Sequence, residues 1–114
     1  AVPVIYVYAG MDPVAATCMI GPETRGLVIA GVGEGNMPES VRRELVRLRK
    51  DDGVMVVRAS RADEGLVDRE PEDDDNGFVA ARALNPQKAR ILLQLLIASG
   101  TTDLKEIQQA FDGR

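Results

Sequence analysis

The sequence predicts an α/β domain, an open and mostly parallel sheet of about four strands with helices on both faces. Three observations predict it. Residues 2–8 (VPVIYVY), 27–30 (LVIA) and 54–57 (VMVV) are short, nearly continuous apolar runs rich in β-branched residues, the pattern of strands buried on both faces. Segments with helical spacing separate these runs, and strand–helix alternation implies right-handed crossovers between parallel strands. At 114 residues the chain is long enough for one core and too short for two, so residues 1–114 read as a single domain without internal repeats.

The elements follow in order. After the first strand, Asp12 followed by Pro13 reads as a cap and first helical residue, and the helix should stop near Gly21. The second strand leads to a helix opened by Pro38, in which Val41, Leu45 and Leu48 recur at helical spacing and Gly53 occupies the C-terminal glycine position. Beyond the third strand, residues 59–77 (ASRADEGLVDREPEDDDNG) are polar and aperiodic, long for a connection and therefore read as a functional or disordered loop. GFVAA from Gly77 forms a short last strand. Asn85-Pro86 starts an apolar helix through ARILLQLLIA, and Asp103 with Glu106 makes a capping-box-like start for DLKEIQQAFDG, packed inward by Leu104, Ile107 and Phe111. This is a flavodoxin-like arrangement.

Composition excludes several classes of function. The net charge of -4 disfavours nucleic acid, and the basic residues Arg42, Arg43, Arg47, Arg49 and Lys50 read as the solvated face of one amphipathic helix. No apolar run approaches the roughly 18 residues of a membrane span. The chain has no histidine, which removes the commonest general base and metal ligand. Its single cysteine, Cys18, lies in the apolar stretch VAATCMI and reads as a buried structural thiol. The chain opens inside a strand, as a cut fragment or processed chain would.

Ligands in open α/β sheets bind at the carboxyl ends of strands, so the loops after Tyr8, Ala30 and Arg58 are the ones to inspect. The second is LVIAGVGEGN. It fails the dinucleotide fingerprint because Asn36 stands where the third glycine belongs, and it fails the phosphate-loop pattern because Met37 and Pro38 follow instead of a lysine and a hydroxyl residue. Read locally, the glycines make a tight strand-to-helix turn and Asn36 caps the helix beginning near Pro38. In DREPEDDDNG, Asp68, Glu70, Glu72, Asp73, Asp74 and Asp75 place six acids in eight residues. A calcium loop beginning at Glu72 would need a bidentate acid where Ala83 stands, so no metal is assigned. The bland reading is a solvated acidic loop; a sharper one has a carboxylate meeting a cationic ligand group. Ser40, Ser60, Thr17, Thr24, Thr101 and Thr102 have no histidine to activate them, and Lys50, Lys88 and Lys105 fall in helices without a hydroxyl obviously nearby. No catalytic residue is assigned to this chain.

The segments YVYAGMD, GLVIAGVGEGN, VMVVRASR, NGFVAARALNPQKARILLQL and EIQQAF, in this order and spacing, resemble the C-terminal domain of bacterial type II L-asparaginases and glutaminase-asparaginases. The resemblance covers nearly the whole chain, and LNPQKAR is its most specific motif. It implies an amidohydrolase that converts L-asparagine, and often L-glutamine, to the acid and ammonia without a cofactor. The threonine nucleophile and Thr-Lys-Asp triad of the family belong to a larger N-terminal domain absent from this chain, so the isolated domain is expected to be inactive. The family's active site lies between that domain of one subunit and the C-terminal domain of its neighbour, in an intimate dimer that pairs into a tetramer. Matched by position, the substrate-binding asparagine falls on Asn36 and the glutamate on Glu70, both associated with the substrate's α-amino end. A type II enzyme would be periplasmic or secreted, and a type I enzyme cytoplasmic. The family loop commonly has asparagine where Glu34 stands here. The competing reading is a free-standing α/β module that binds an amino acid or docks on a partner; a receiver-like signalling domain would want paired acids after the first strand, where Asp12 stands alone.

Overall fold

The computed structural model describes residues 2–33, 35–61 and 66–113. Glu34, in the glycine-rich loop, lies outside them. Four strands, β1 (Val4–Tyr6), β2 (Gly26–Gly31), β3 (Met55–Ser60) and β4 (Phe78–Ala80), form one sheet in the order β1-β2-β3-β4, every pairing parallel. The helices are α1 (Pro13–Thr17), α2 (Glu39–Asp52), α3 (Pro71–Asn76), α4 (Pro86–Ala98) and α5 (Leu104–Asp112). None is long and apolar enough to cross a membrane.

Alternation along the strands divides the core in two. Ile5, Leu27, Ile29, Val56 and Phe78 point to one face, where Ala16 of α1 and Val41, Leu45 and Leu48 of α2 cover them. Val28, Met55, Val57 and Val79 point to the other, beneath Ala89 and Leu93 of α4 and Ile107 and Phe111 of α5. Sequential strand order accounts for this division. Right-handed crossovers that always step the same way keep α1 and α2 on one side, and the chain must return after β4 to cover the other.

The motif LNPQKAR is where that return begins. Asn85 caps α4 by accepting from Lys88 N–H at 2.9 Å, and Pro86 takes the first turn, where no N–H is needed. Gln87 Nε2 then donates to the Tyr6 hydroxyl at 2.8 Å and Arg90 Nε to the Val2 carbonyl at 2.8 Å, so α4 is tied to β1. At the other edge, the Gln108 side chain accepts from Ala80 N–H at 2.8 Å and donates to Ala80 C=O at 3.1 Å. That amide supplies β4 with the partner an additional strand would give.

Several local expectations are corrected. Asp12 does cap α1, accepting from Val14 N–H at 2.8 Å, but the helix ends at Thr17 rather than near Gly21. Cys18 therefore leaves the apolar stripe and is exposed, its Sγ 3.2 Å from the Ala15 carbonyl. The third strand continues to Ser60, which puts Arg58 inside the sheet. The supposed loop of residues 59–77 contains α3, a six-residue acidic helix without apolar periodicity. The register considered for calcium falls within that helix at Glu72, Asp74 and Asn76. Arg49 is more than a solvated cation, since its Nε donates to the Gly77 carbonyl at 3.2 Å and binds α2 to the start of β4.

Candidate functional site

Loops following β1, β2 and β3 gather at the carboxyl edge of the sheet. The one after β2 is folded by its glycines. Gly33 and Gly35 take φ of 58° and 85°, in the left-handed region that side chains other than glycine rarely adopt. Val32 N–H donates to Asn36 C=O at 3.1 Å and Asn36 N–H to Val32 C=O at 2.9 Å, so the turn closes on itself through its backbone. Gly31 lies so near this closure that a Cβ there would stand 2.4 Å from the Asn36 carbonyl oxygen.

Asn36 is thus the closing residue of the turn rather than the cap of α2. Pro38 occupies the cap position and receives no side-chain hydrogen bond, while its carbonyl accepts from Arg42 N–H at 3.0 Å. The Asn36 side chain is exposed, on a mostly apolar cleft of about 330 Å³ bordered by Tyr8, Gly10, Val32, Met37 and Pro38. An amide there brings both a donor and an acceptor to an otherwise apolar wall.

Glu70 is the N-cap of α3, and it forms a capping box with Asp73 in which the Glu70 N–H donates to Asp73 Oδ2 at 2.8 Å. The residue is half-buried and borders a second concavity with Glu39, Arg42, Glu72, Asp75 and Asn76. Carboxylates dominate that lining, and the cation within it, Arg42, faces Glu39 at 3.6 Å. A cationic ligand group would meet a favourable field there. Two carboxylate oxygens offer about four acceptor positions, so the capping and a ligand contact are compatible.

Asn36 and Glu70 therefore stand at the same edge of the sheet, in separate concavities. What joins them is a residue that the sequence reading missed. Arg58, 1% exposed, donates from Nε to Asp73 Oδ1 at 2.7 Å, from Nη2 to Asp73 Oδ2 at 2.7 Å, and from Nη2 to the Asp68 carbonyl at 2.9 Å. Asp73 is wholly buried. The pair is bidentate, and among the described residues no buried side-chain nitrogen or oxygen lacks a hydrogen-bond partner. A signal was present. Arg58 is the one charge in the described strands, and a charge in a strand buried on both faces requires a buried partner.

The hydroxyls considered as nucleophiles gain no role from the structure. Thr17 donates to the Pro13 carbonyl at 3.0 Å and Thr24 accepts from Gly21 N–H at 3.0 Å, both local structural bonds. Ser60 is buried at the end of β3. Lys50, Lys88 and Lys105 stand exposed on α2, α4 and α5.

Residues 1–111 match the family described as the Glutaminase/Asparaginase C-terminal domain. The chain belongs to this family. Its curated relatives include L-asparaginase 2 of Escherichia coli, 42% identical over 111 residues, and the glutaminase-asparaginase of Acinetobacter glutaminasificans, 38% identical over 112. Each alignment covers 96% of this chain, which spans 31% and 34% of those proteins. A solved structure titled as a probable cytoplasmic L-asparaginase from Campylobacter jejuni superposes with a TM-score of 0.86 at 39% identity, over 96% of this chain and 36% of that one. The α/β asparaginase C-terminal fold expected from the resemblance is thereby confirmed. A relative from Haemophilus influenzae, 42% identical, is named a probable periplasmic L-asparaginase while this structure's title says cytoplasmic, so these similarities assign no compartment.

Proposed function

We propose that residues 1–114 form the C-terminal domain of an L-asparaginase-type amidohydrolase, acting on L-asparagine and often L-glutamine. In this reading a larger N-terminal domain, carrying the nucleophile, completes the enzyme without a cofactor. The present domain supplies Asn36 and Glu70 to the α-amino end of a substrate held in a neighbouring subunit, and it contributes contacts to a homodimer or homotetramer. The observation that carries the reading is family membership across residues 1–111, with Glu70 held at the rim of an acidic concavity.

The chemistry is that of positioning. A carboxylate opposite an ammonium makes a charge-assisted hydrogen bond, roughly twice as strong as a neutral one. The Asn36 carbonyl oxygen accepts from the same ammonium, or its NH₂ orients a neighbouring carboxylate. Such contacts select free amino acids over internal amides and fix the scissile amide relative to a nucleophile on another domain. They break no bond themselves.

The test uses the full-length polypeptide that carries this domain. It is expected to release ammonia from L-asparagine, whereas residues 1–114 alone do not. Mixing full-length Glu70→Gln subunits with subunits whose N-terminal nucleophile is removed should restore activity at low asparagine, since hybrid oligomers then hold one intact composite site. Absence of ammonia release overturns the amidohydrolase reading. Absence of complementation overturns the contribution to a neighbour. Tight amino-acid binding by the isolated domain would favour the free-standing binding module instead.

A further inference from the structure

Arg58 touches both segments that carry the proposed binding residues. Its backbone is fixed within the sheet, in register with Ile29 of β2 and Ala80 of β4. Its guanidinium holds Asp73 through two bonds of 2.7 Å, and Asp73 in turn accepts the Glu70 N–H at 2.8 Å. It also lies close to Gly35, the residue before Asn36. A Cβ on Gly35 would come within 3.3 Å of Arg58 Nη1 and 3.4 Å of Arg58 Cβ. The glycine turn and the start of α3 thus both pack against one buried side chain.

From this arrangement we infer that Arg58, acting through Asp73, is a positioning residue that sets Glu70 and Asn36 in mutual register for an amino-acid ammonium. The inference rests on the binding roles proposed above for those two residues. A planar guanidinium bound through Nε and Nη2 resists rotation as well as translation, which a lysine ammonium would not. Small displacements of groups that orient a substrate have large kinetic effects, even when the displaced groups remain intact. The Arg58–Asp73 pair should therefore influence the recognition of the α-amino group from beyond contact with it.

The test again uses the full-length enzyme. Removing Arg58 alone strands a buried carboxylate and endangers folding, so both partners are replaced by apolar residues in Arg58→Met/Asp73→Leu. KM for L-asparagine should rise about tenfold or more with kcat within about twofold, the pattern of lost substrate binding rather than lost chemistry. Preference for L-asparagine over succinamate, which is asparagine without its α-amino group, should fall in parallel. Adding Glu70→Gln to the pair variant should raise KM little further, because the two changes break one unit. A pair variant with unchanged KM and unchanged preference overturns the inference, as does full additivity. If Glu70→Gln alone leaves KM unchanged, the binding role itself is lost; a Glu70→Gln defect beside an unaffected pair variant overturns the inference alone. A measurement on the unmodified enzyme stands independently of how the variants fold. Amide exchange at Glu70 should be as slow as in β3, and exchange at the rate of an exposed loop would overturn the anchoring by Asp73.

Discussion

The two segments bearing Asn36 and Glu70 are held in opposite ways. The glycine turn of residues 31–36 is closed by its own backbone, through reciprocal Val32 and Asn36 bonds and left-handed glycines. The Asn36 side chain is consequently free of any structural hydrogen bond to the described residues. The segment from Asp68 to α3 has no such internal geometry. It is fastened by a buried ion pair to a strand ten or more residues earlier in the chain, and Glu70 takes part in the fastening through its N–H. A turn of the first kind tolerates changes of side chain and fails on changes of backbone space. A segment of the second kind fails when one distant side chain is removed.

Substitutions can break or sharpen this contrast. The largest effect should come from Arg58→Met, which leaves Asp73 buried and unpaired, at a cost of about 3–5 kcal/mol in denaturant unfolding. A loss below about 1 kcal/mol would show that the pair does not hold the acidic segment. Next comes Gly31→Ala. Its Cβ would meet backbone atoms at 2.4 and 2.5 Å, and overpacking of this kind typically costs about 1–3 kcal/mol. Asn36→Ala should change stability by less than about 0.5 kcal/mol, because only its backbone closes the turn, while raising KM of the full-length enzyme. A folding defect in that variant would assign the amide a structural bond after all.

The smallest effect lies far from both segments, on α2. Hydrogen bonding from Arg47, joined by its charge, holds the Glu44 carboxyl below its ordinary range against the opposing effect of burial. A carboxyl lowered in the folded state stabilises above its unfolded titration range, and that contribution disappears as pH falls through the folded one. Glu44→Gln should therefore lower stability slightly at neutral pH, and its difference from the unaltered chain should vanish as pH falls through the acid range. A pH profile identical to that of the unaltered chain would refute it.

The same contrast explains what could be read from the sequence. Apolar runs of four to seven residues marked the strands, and Val41, Leu45 and Leu48 marked the buried face of α2, because burial of contiguous elements leaves a periodic trace. The glycine turn was legible because positive φ demands glycine locally. Helix α3 was not. It is short, with no apolar periodicity, and its fastening depends on Arg58, 15 residues from Asp73, a residue that the apolar run of 54–57 leaves outside the strand. The motif LNPQKAR, which most specifically marked the family, proves to be structural, tying α4 to β1 through Gln87 and Arg90. Asn36 and Glu70 came from positional resemblance, since neither an exposed amide nor one carboxylate among six leaves a local signature of binding.

The central claim is that this domain reads the substrate's α-amino group through Glu70. The most direct measurement compares kcat/KM for L-asparagine and for succinamate in the full-length enzyme and its Glu70→Gln variant. The account predicts that the variant loses about tenfold or more on L-asparagine and little on succinamate, so that the preference for the amino acid collapses. Equal losses on both substrates, or none on L-asparagine, would contradict it.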